Sequence, residues 1–208
     1  MKHYKKIDKA YLNDAGFESR KNKKIEYLVI HYTAGSGDRA ESVARYFKTI
    51  NQNKSRYASA HYIVDNNSVW QSVADNMAAW HCGGNKYIYS SGGSFYGKCT
   101  NLNSLGIEMC NCLKSLDYVT LENTIALAKD LVKKYNIQDK NIIRHYDVTG
   151  KHCPAFMIDD DPDKKNNWKL FKSAIITGDK YYIKIDKSGN IFKRLRTGEK
   201  WVKMGQFK

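Results

Sequence analysis

The chain has 208 residues, with 35 Lys and Arg against 21 Asp and Glu and a formal net charge of +14. That length suits one medium domain with room for a small appendage, and a composition 42% apolar and 12% aromatic excludes a disordered chain, which would have too little to bury. No run approaches the roughly 18 consecutive apolar residues of a membrane span, so membrane insertion is excluded; the charged start, Met1 to Asp8, has no apolar run behind it, so synthesis in the cytoplasm without a signal peptide is expected.

Taken in chain order, residues 1–24 are Lys-rich, with 8 Lys and Arg against 3 Asp and Glu, and read as an exposed basic arm. Ile25 to Tyr32 is a short β-rich apolar run that stops at the glycines of Thr33 to Gly37, which predicts a buried strand ending in a loop. Asp38-Arg39-Ala40-Glu41 has the acid-x-x-Glu pattern of a helix start, and Val43, Ala44, Phe47 and Ile50 continue it at helical spacing. His61 to Asp65 and Val69 to Val73, parted by Asn66-Asn67-Ser68, predict a hairpin or two adjacent strands. Cys82 to Gly97 predicts a long surface loop, and Ser104 to Met109 a further strand. Leu121, Ile125, Leu127, Ala128, Leu131 and Val132 share a helical stripe between Val119 and Tyr135. Asn141 to His145 predicts the last short strand of the core, and Trp168, Phe171 and Ile175 a closing helix. The alternation indicates an α/β domain with a central, mixed sheet flanked by helices. From Gly178 the pattern changes to a hairpin, Tyr181 to Asp186, the turn Lys187 to Asn190, then Ile191-Phe192, so that residues 178–208 form a small basic β-rich tail.

The positive charge suits a polyanionic partner: nucleic acid, an acidic membrane face or an anionic wall polymer. No helix-turn-helix or finger motif supports nucleic acid. Five cysteines in a chain without a signal do not suggest a disulfide framework, but rather a thiol with a specific task. Two histidines, His31 and His145, fall at predicted strand ends, where side chains of an α/β sheet face the ligand crevice. Cys153 follows in Lys151-His152-Cys153-Pro154. Two imidazoles and a thiolate can hold Zn²⁺ tetrahedrally and leave the fourth place to water; taken alone, strand-end histidines are as readily hydrogen-bonded core residues, and Cys153 with a histidine also fits a thiol hydrolase.

Five blocks carry a resemblance: Leu28 to Thr33, Ser59 to Val64, Trp80-His81-Cys82-Gly83, Leu105 to Met109, and Arg144 to Val148 running on to Lys151 to Pro154. Together, in this order, they resemble the zinc-dependent N-acetylmuramoyl-L-alanine amidases of the amidase-2 family, over roughly residues 24–175, in the form found in phage endolysins. The resemblance implies a catalytic domain over residues 25–177 and one Zn²⁺ held by His31, His145 and Cys153. Its substrate would be peptidoglycan, cut at the amide between N-acetylmuramic acid and L-alanine, with Zn²⁺ polarising the carbonyl and lowering the pKa of bound water to about 7. Glu108 is the expected general base, since strand alternation turns it away from Ile107 and Met109, and the family places a catalytic Glu in this block. Lys151 matches the family's oxyanion-stabilising Lys. Phage T7 lysozyme has a Tyr before the His of its second block where this chain has Ala60, so proton transfer falls to Glu108.

His61, Trp70, Trp80 and His81 are expected to line the substrate groove, and Asp147 to orient a ligand imidazole. Cys82, Cys99, Cys110 and Cys112 have no derived role; small buried side chains are the plain reading, with Cys110 and Cys112 on one strand face. The alternative to an enzyme is a non-catalytic peptidoglycan-recognition module, against which the retained Cys153 argues. A monomer is expected, acting at the bacterial wall after holin-type release, with the tail offered to anionic wall polymer.

Overall fold

A computed structural model describes residues 4–12, 15–82, 85–87, 90–111, 118–158, 167–177, 182–185, 190–194 and 202–206. Its frame is a six-stranded mixed sheet in the order β1 (Ile7–Lys9), β5 (Val69–Gln71), β4 (Tyr62–Val64), β7 (Ser104–Met109), β3 (Tyr27–Tyr32) and β8 (Ile142–Arg144). β4, β7, β3 and β8 run parallel, and β5 turns back antiparallel to β4 through the predicted hairpin.

Alternation along the central strands sorts side chains to two faces. Leu28, Ile30, Leu105, Ile107 and Met109 lie on one face under α2 (Tyr118–Tyr135) and α4 (Asn167–Ile176), where Leu121, Leu127, Leu131 and Phe171 complete the main core. Each such fully buried apolar side chain contributes about 1.5–3 kcal/mol relative to exposure. The opposite face is covered in two separate patches. Over β4 and β5 lies α1 (Ala40–Gln52), whose Ala44, Phe47 and Ile50 pack on Ile63 and Val73. Over β3 and β8 lie Cys82, Cys99 and Phe95 of the long loop, with Val29, Ile143 and Val148. Between these patches the carboxyl ends of β3 and β7 stay open, and the site forms there.

α1 starts where predicted, but by another device. Asp38 accepts a hydrogen bond from the Thr33 hydroxyl instead of capping the helix, and Arg39 at the N-cap makes no side-chain cap. The first-turn Ala40 amide donates instead to Asp65 Oδ2 at 2.9 Å, while Asp65 Oδ1 accepts from the Asn67 and Ser68 amides at 2.7 and 2.6 Å. One buried carboxylate thus closes the β4–β5 turn and caps a helix distant in sequence.

The exposed basic arm expected over residues 1–24 is corrected for its described part. β1 pairs parallel with β5, and the Ala10 and Leu12 amides continue the ladder to Gln71 and Ser72 carbonyls at 2.9 Å. β2 (Phe17–Ser19) pairs antiparallel with β6 (Met77–Ala79). Tyr4, Leu12 and Arg20 are buried, and the Arg20 guanidinium donates to the Asp75, Leu102 and Ser104 carbonyls at 2.7, 2.9 and 3.0 Å. Backbone pairing over three residues at a sheet edge needs no apolar periodicity, so composition alone hides it.

In the tail, β9 (Tyr182–Ile185), β10 (Asn190–Arg194) and β11 (Val202–Gln206) form their own antiparallel sheet in the order β11-β10-β9. The hairpin expectation covers β9 and β10; β11 is an added strand, and most of the turn Lys187 to Asn190 lies outside the described residues, as does Cys112. Among the described residues no helix is long and apolar enough to cross a membrane.

Candidate active site

His31 is the fifth residue of β3, on the open face, and its register partner on β7 is Glu108. The two side chains therefore rise side by side at the carboxyl ends of parallel strands, the position where open α/β sheets take ligands. β8 delivers the next residue: the strand ends at Arg144 and His145 opens the short helix α3 (His145–Thr149). Asp147 fixes that corner by accepting from the Arg144 amide at 2.8 Å and its guanidinium at 2.7 Å. Gly150 ends α3 in the left-handed conformation at φ +82, where a Cβ would also strike Ser90. The chain then returns so that the Cys153 carbonyl accepts from the Tyr146 amide at 3.0 Å and its buried thiol faces His31.

His31 Nδ1 lies 3.1 Å from His145 Nδ1 and 3.9 Å from Cys153 Sγ, and the three donor atoms sit within 4.8 Å of one another. Tetrahedral zinc with metal–nitrogen distances of about 2.0–2.1 Å and a metal–sulfur distance of about 2.3 Å separates neighbouring ligand atoms by about 3.3–3.6 Å, so the donor set fits such an ion. The electrostatics agree. Burial, then the neighbouring imidazoles and the Lys151 ammonium, keep His31 well below the ordinary imidazole range, and burial with Lys151 and His81 pushes His145 down to about 3. Both rings keep lone pairs. Burial and the Glu108 charge push the Cys153 thiol up to about 12, so a thiolate there calls for a cation at the cluster.

Glu108 Oε2 is buried with no hydrogen-bond partner among the described residues, and burial raises its carboxyl to about 7 against the opposing pull of Lys151 and His81. Lys151 stands exposed at the rim. These residues share a groove of about 480 Å³ whose far wall is built from Tyr46 and Phe47 of α1 with Arg56 and Trp80. Arg56 and Tyr46 were not anticipated, because a single Arg in a polar loop and a Tyr on the outer side of a helix carry no signal of their own.

Trp80 and His81 line the groove. His61 and Trp70 do not, and this part of the expectation is corrected. His61 is fully buried, its Nδ1 accepting from the Gly106 amide at 3.0 Å and its Nε2 lying 3.0 Å from the Met77 carbonyl, so it ties β4, β7 and β6 together. Trp70, on β5, packs with the α1 cluster. Asp147 is likewise corrected: three residues after Arg144 its carboxylate reaches back over the helix start, and both oxygens are engaged by Arg144 rather than by a ligand imidazole. Cys82 and Cys99 are free buried thiols with sulfurs 3.8 Å apart; Cys110 is a small buried core residue.

The mixed α/β sheet thus carries, at the ends of its parallel strands, a His-His-Cys cluster that could hold a metal ion and a carboxylate with one buried oxygen. The chain belongs to the amidase-2 family: its profile, described as N-acetylmuramoyl-L-alanine amidase, matches residues 21–156. A probable N-acetylmuramoyl-L-alanine amidase of Bacillus licheniformis is 35% identical over 132 residues, covering 63% of this chain and 36% of that protein. The chain spans little more than a third of the length of the first curated relatives it matches. Among solved structures, the catalytic domain of XlyA, an amidase of Bacillus subtilis, superposes with a TM-score of 0.63 at 26% identity, covering 82% of this chain and 99% of that one. A mutant endolysin from Bacillus subtilis superposes with a TM-score of 0.63 at 28% identity, over 82% and 98% of the two chains.

Proposed function

We propose that the protein is a zinc-dependent N-acetylmuramoyl-L-alanine amidase of the endolysin type, hydrolysing the amide between N-acetylmuramic acid and L-alanine in peptidoglycan. The observation that carries the reading is the convergence of His31, His145 and Cys153 within 4.8 Å beside a buried carboxylate in one groove. Support comes from the family and from the near-complete coverage of the XlyA catalytic domain. Zn²⁺ held by these three residues would supply Lewis acidity toward the amide carbonyl and toward water.

The remaining steps belong to the chain. Glu108 takes a proton from the attacking water and delivers it to the leaving alanine nitrogen, a two-way task that suits a carboxyl raised toward 7. The Lys151 ammonium faces the oxygen on which negative charge develops. Trp80 and Tyr46 offer aromatic faces to glycan and stem peptide, and the groove wall keeps the scissile bond against the cluster. The tail, with 9 Lys and Arg against 3 Asp and Glu over residues 178–208, offers a second, electrostatic contact to anionic wall polymer. Action at the wall after release from the producing cell follows from an endolysin role.

The test is an end-group assay on purified peptidoglycan. New L-alanine amino termini without new reducing sugar ends are expected; reducing ends would make the protein a glycosidase. Glu108→Gln should retain one zinc per chain and lose about 10²- to 10⁴-fold in turnover, while Cys153→Ser should lose zinc and activity together. A zinc-replete wild type that releases nothing would instead make it a recognition module.

A further inference from the structure

We propose that His81 acts through His31, as the central link of a hydrogen-bond relay, Thr100–Ser104–His81–His31, that fixes which nitrogen of His31 faces the metal. The inference rests on the zinc reading above. It follows from donor and acceptor inventory, starting at the outer end. The Thr100 carbonyl can only accept, so the Ser104 hydroxyl, 2.5 Å away, donates to it. A hydroxyl has one proton, so Ser104 Oγ meets His81 Nε2, at 3.1 Å, as an acceptor, and that nitrogen carries the proton. A neutral ring protonated on Nε2 keeps a lone pair on Nδ1. His31 Nε2, 3.0 Å from that lone pair, is therefore the donor. His31 is left with its own lone pair on Nδ1, the nitrogen that faces His145 and Cys153.

The surroundings are shaped for this ring. Gly106 lies on the same β7 face as Ser104 and Glu108, and a Cβ there would stand 2.7 Å from His81 Cγ and Nδ1. The glycine makes the room in which the His81 ring sits, edge-on to His31 at 5.2 Å between centroids. The His81 backbone is anchored too, its amide donating to Asn101 Oδ1 at 3.1 Å. Although His81 borders the groove, both ring nitrogens are taken, which leaves no polar ring atom for substrate. It is a positioning residue.

Two measurements on the full chain test this: zinc affinity by competition with a chromophoric chelator, and the protonation pattern of ring nitrogens by ¹⁵N NMR in metal-free protein. Wild-type His31 should be protonated on Nε2. His81→Ala should bind zinc about 10- to 100-fold more weakly, and His81→Asn, whose amide oxygen can replace Nδ1 as acceptor, should recover part of the loss. Ser104→Ala leaves the ring in place but removes its orienting acceptor; it should give His31 a mixed protonation pattern and weaken zinc binding about tenfold, with thermal melts showing the variant folded. His31 protonated on Nδ1 in the wild type would overturn the relay. So would His81→Ala with wild-type zinc affinity and a raised KM, which would return His81 to substrate contact. A wild type that binds no zinc would sink the zinc reading, whereas the NMR pattern judges the hydrogen-bond chain by itself.

Discussion

Glu108 sits where its charge is expensive: one oxygen is buried without a partner among the described residues, and burial raises the carboxyl to about 7. A carboxyl whose folded pKa is raised prefers its proton in the folded state. In metal-free protein it therefore costs nothing below the unfolded value near 4.5, and its penalty grows as pH rises to about 7, reaching a few kcal/mol at about 1.4 kcal/mol per unit. Glu108→Gln removes the ionisation and keeps the shape. Thermal melts of chelator-treated protein should show the variant more stable than wild type at pH 8 and equal to it near pH 4. Equal melting at both values would show that Glu108 is solvated. The same variant should be inactive, so a gain in stability would accompany a loss of catalysis. At this scale the His-His-Cys cluster was readable because a strand-end His and a Cys beside Pro stand in ordered blocks. His61 and Asp147 were misplaced because residue type and spacing do not reveal direction: His61 points into the layer between β4, β7 and β6, and Asp147 back over its own helix start.

Elements are joined by a half-buried carboxylate. Asp75 accepts from Tyr62 of β4 at 2.5 Å and Gln71 of β5 at 3.0 Å on one oxygen, and from Tyr135 at 2.5 Å and Lys134 at 2.9 Å, both of α2, on the other. Burial alone would raise its pKa, but the hydrogen bonds from Tyr135, Tyr62 and Lys134 outweigh it and hold the carboxyl below the usual range. A depressed carboxyl stabilises the fold above its unfolded pKa, near 3.8, and loses that contribution as pH falls through the folded value. Asp75→Asn should therefore lower stability at pH 7 by about 1.5–3 kcal/mol in urea unfolding, with the gap to wild type closing on acidification below the ordinary carboxylate range. A gap independent of pH would assign the loss to packing. The longer elements of the fold were legible because β3 is a continuous apolar run and β7 and α2 show an apolar period over six residues or more. β1, β2 and β6 are three residues each, too short for any period, and are held by backbone pairing to partners more than fifty residues away.

For the whole molecule, the two termini differ in how they are tied in, and truncation should separate them. Residues 4–12 extend the central sheet by one strand and bury Tyr4 and Leu12, while Arg20 donates to four backbone carbonyls. Removing residues 1–20 uncovers the β5 edge and leaves those carbonyls without their donor, so the product should melt earlier and aggregate through the open edge. Among the described residues, the tail strands β9, β10 and β11 pair only with one another. Removing residues 178–208 breaks no ladder of the central sheet and should leave zinc content unchanged. It removes +6 of the +14 net charge, since the tail carries 9 basic and 3 acidic residues. Attraction between exposed charges is screened by salt, with a Debye length of about 10 Å at 0.1 M and about 3 Å at 1 M. Sedimentation with purified cell walls should therefore show full-length protein binding strongly at low ionic strength and weakly near 1 M, and the truncated protein binding weakly at both. If the truncated protein kept the salt-dependent binding, the anionic contact would lie on residues 1–177, where the remaining +8 is carried.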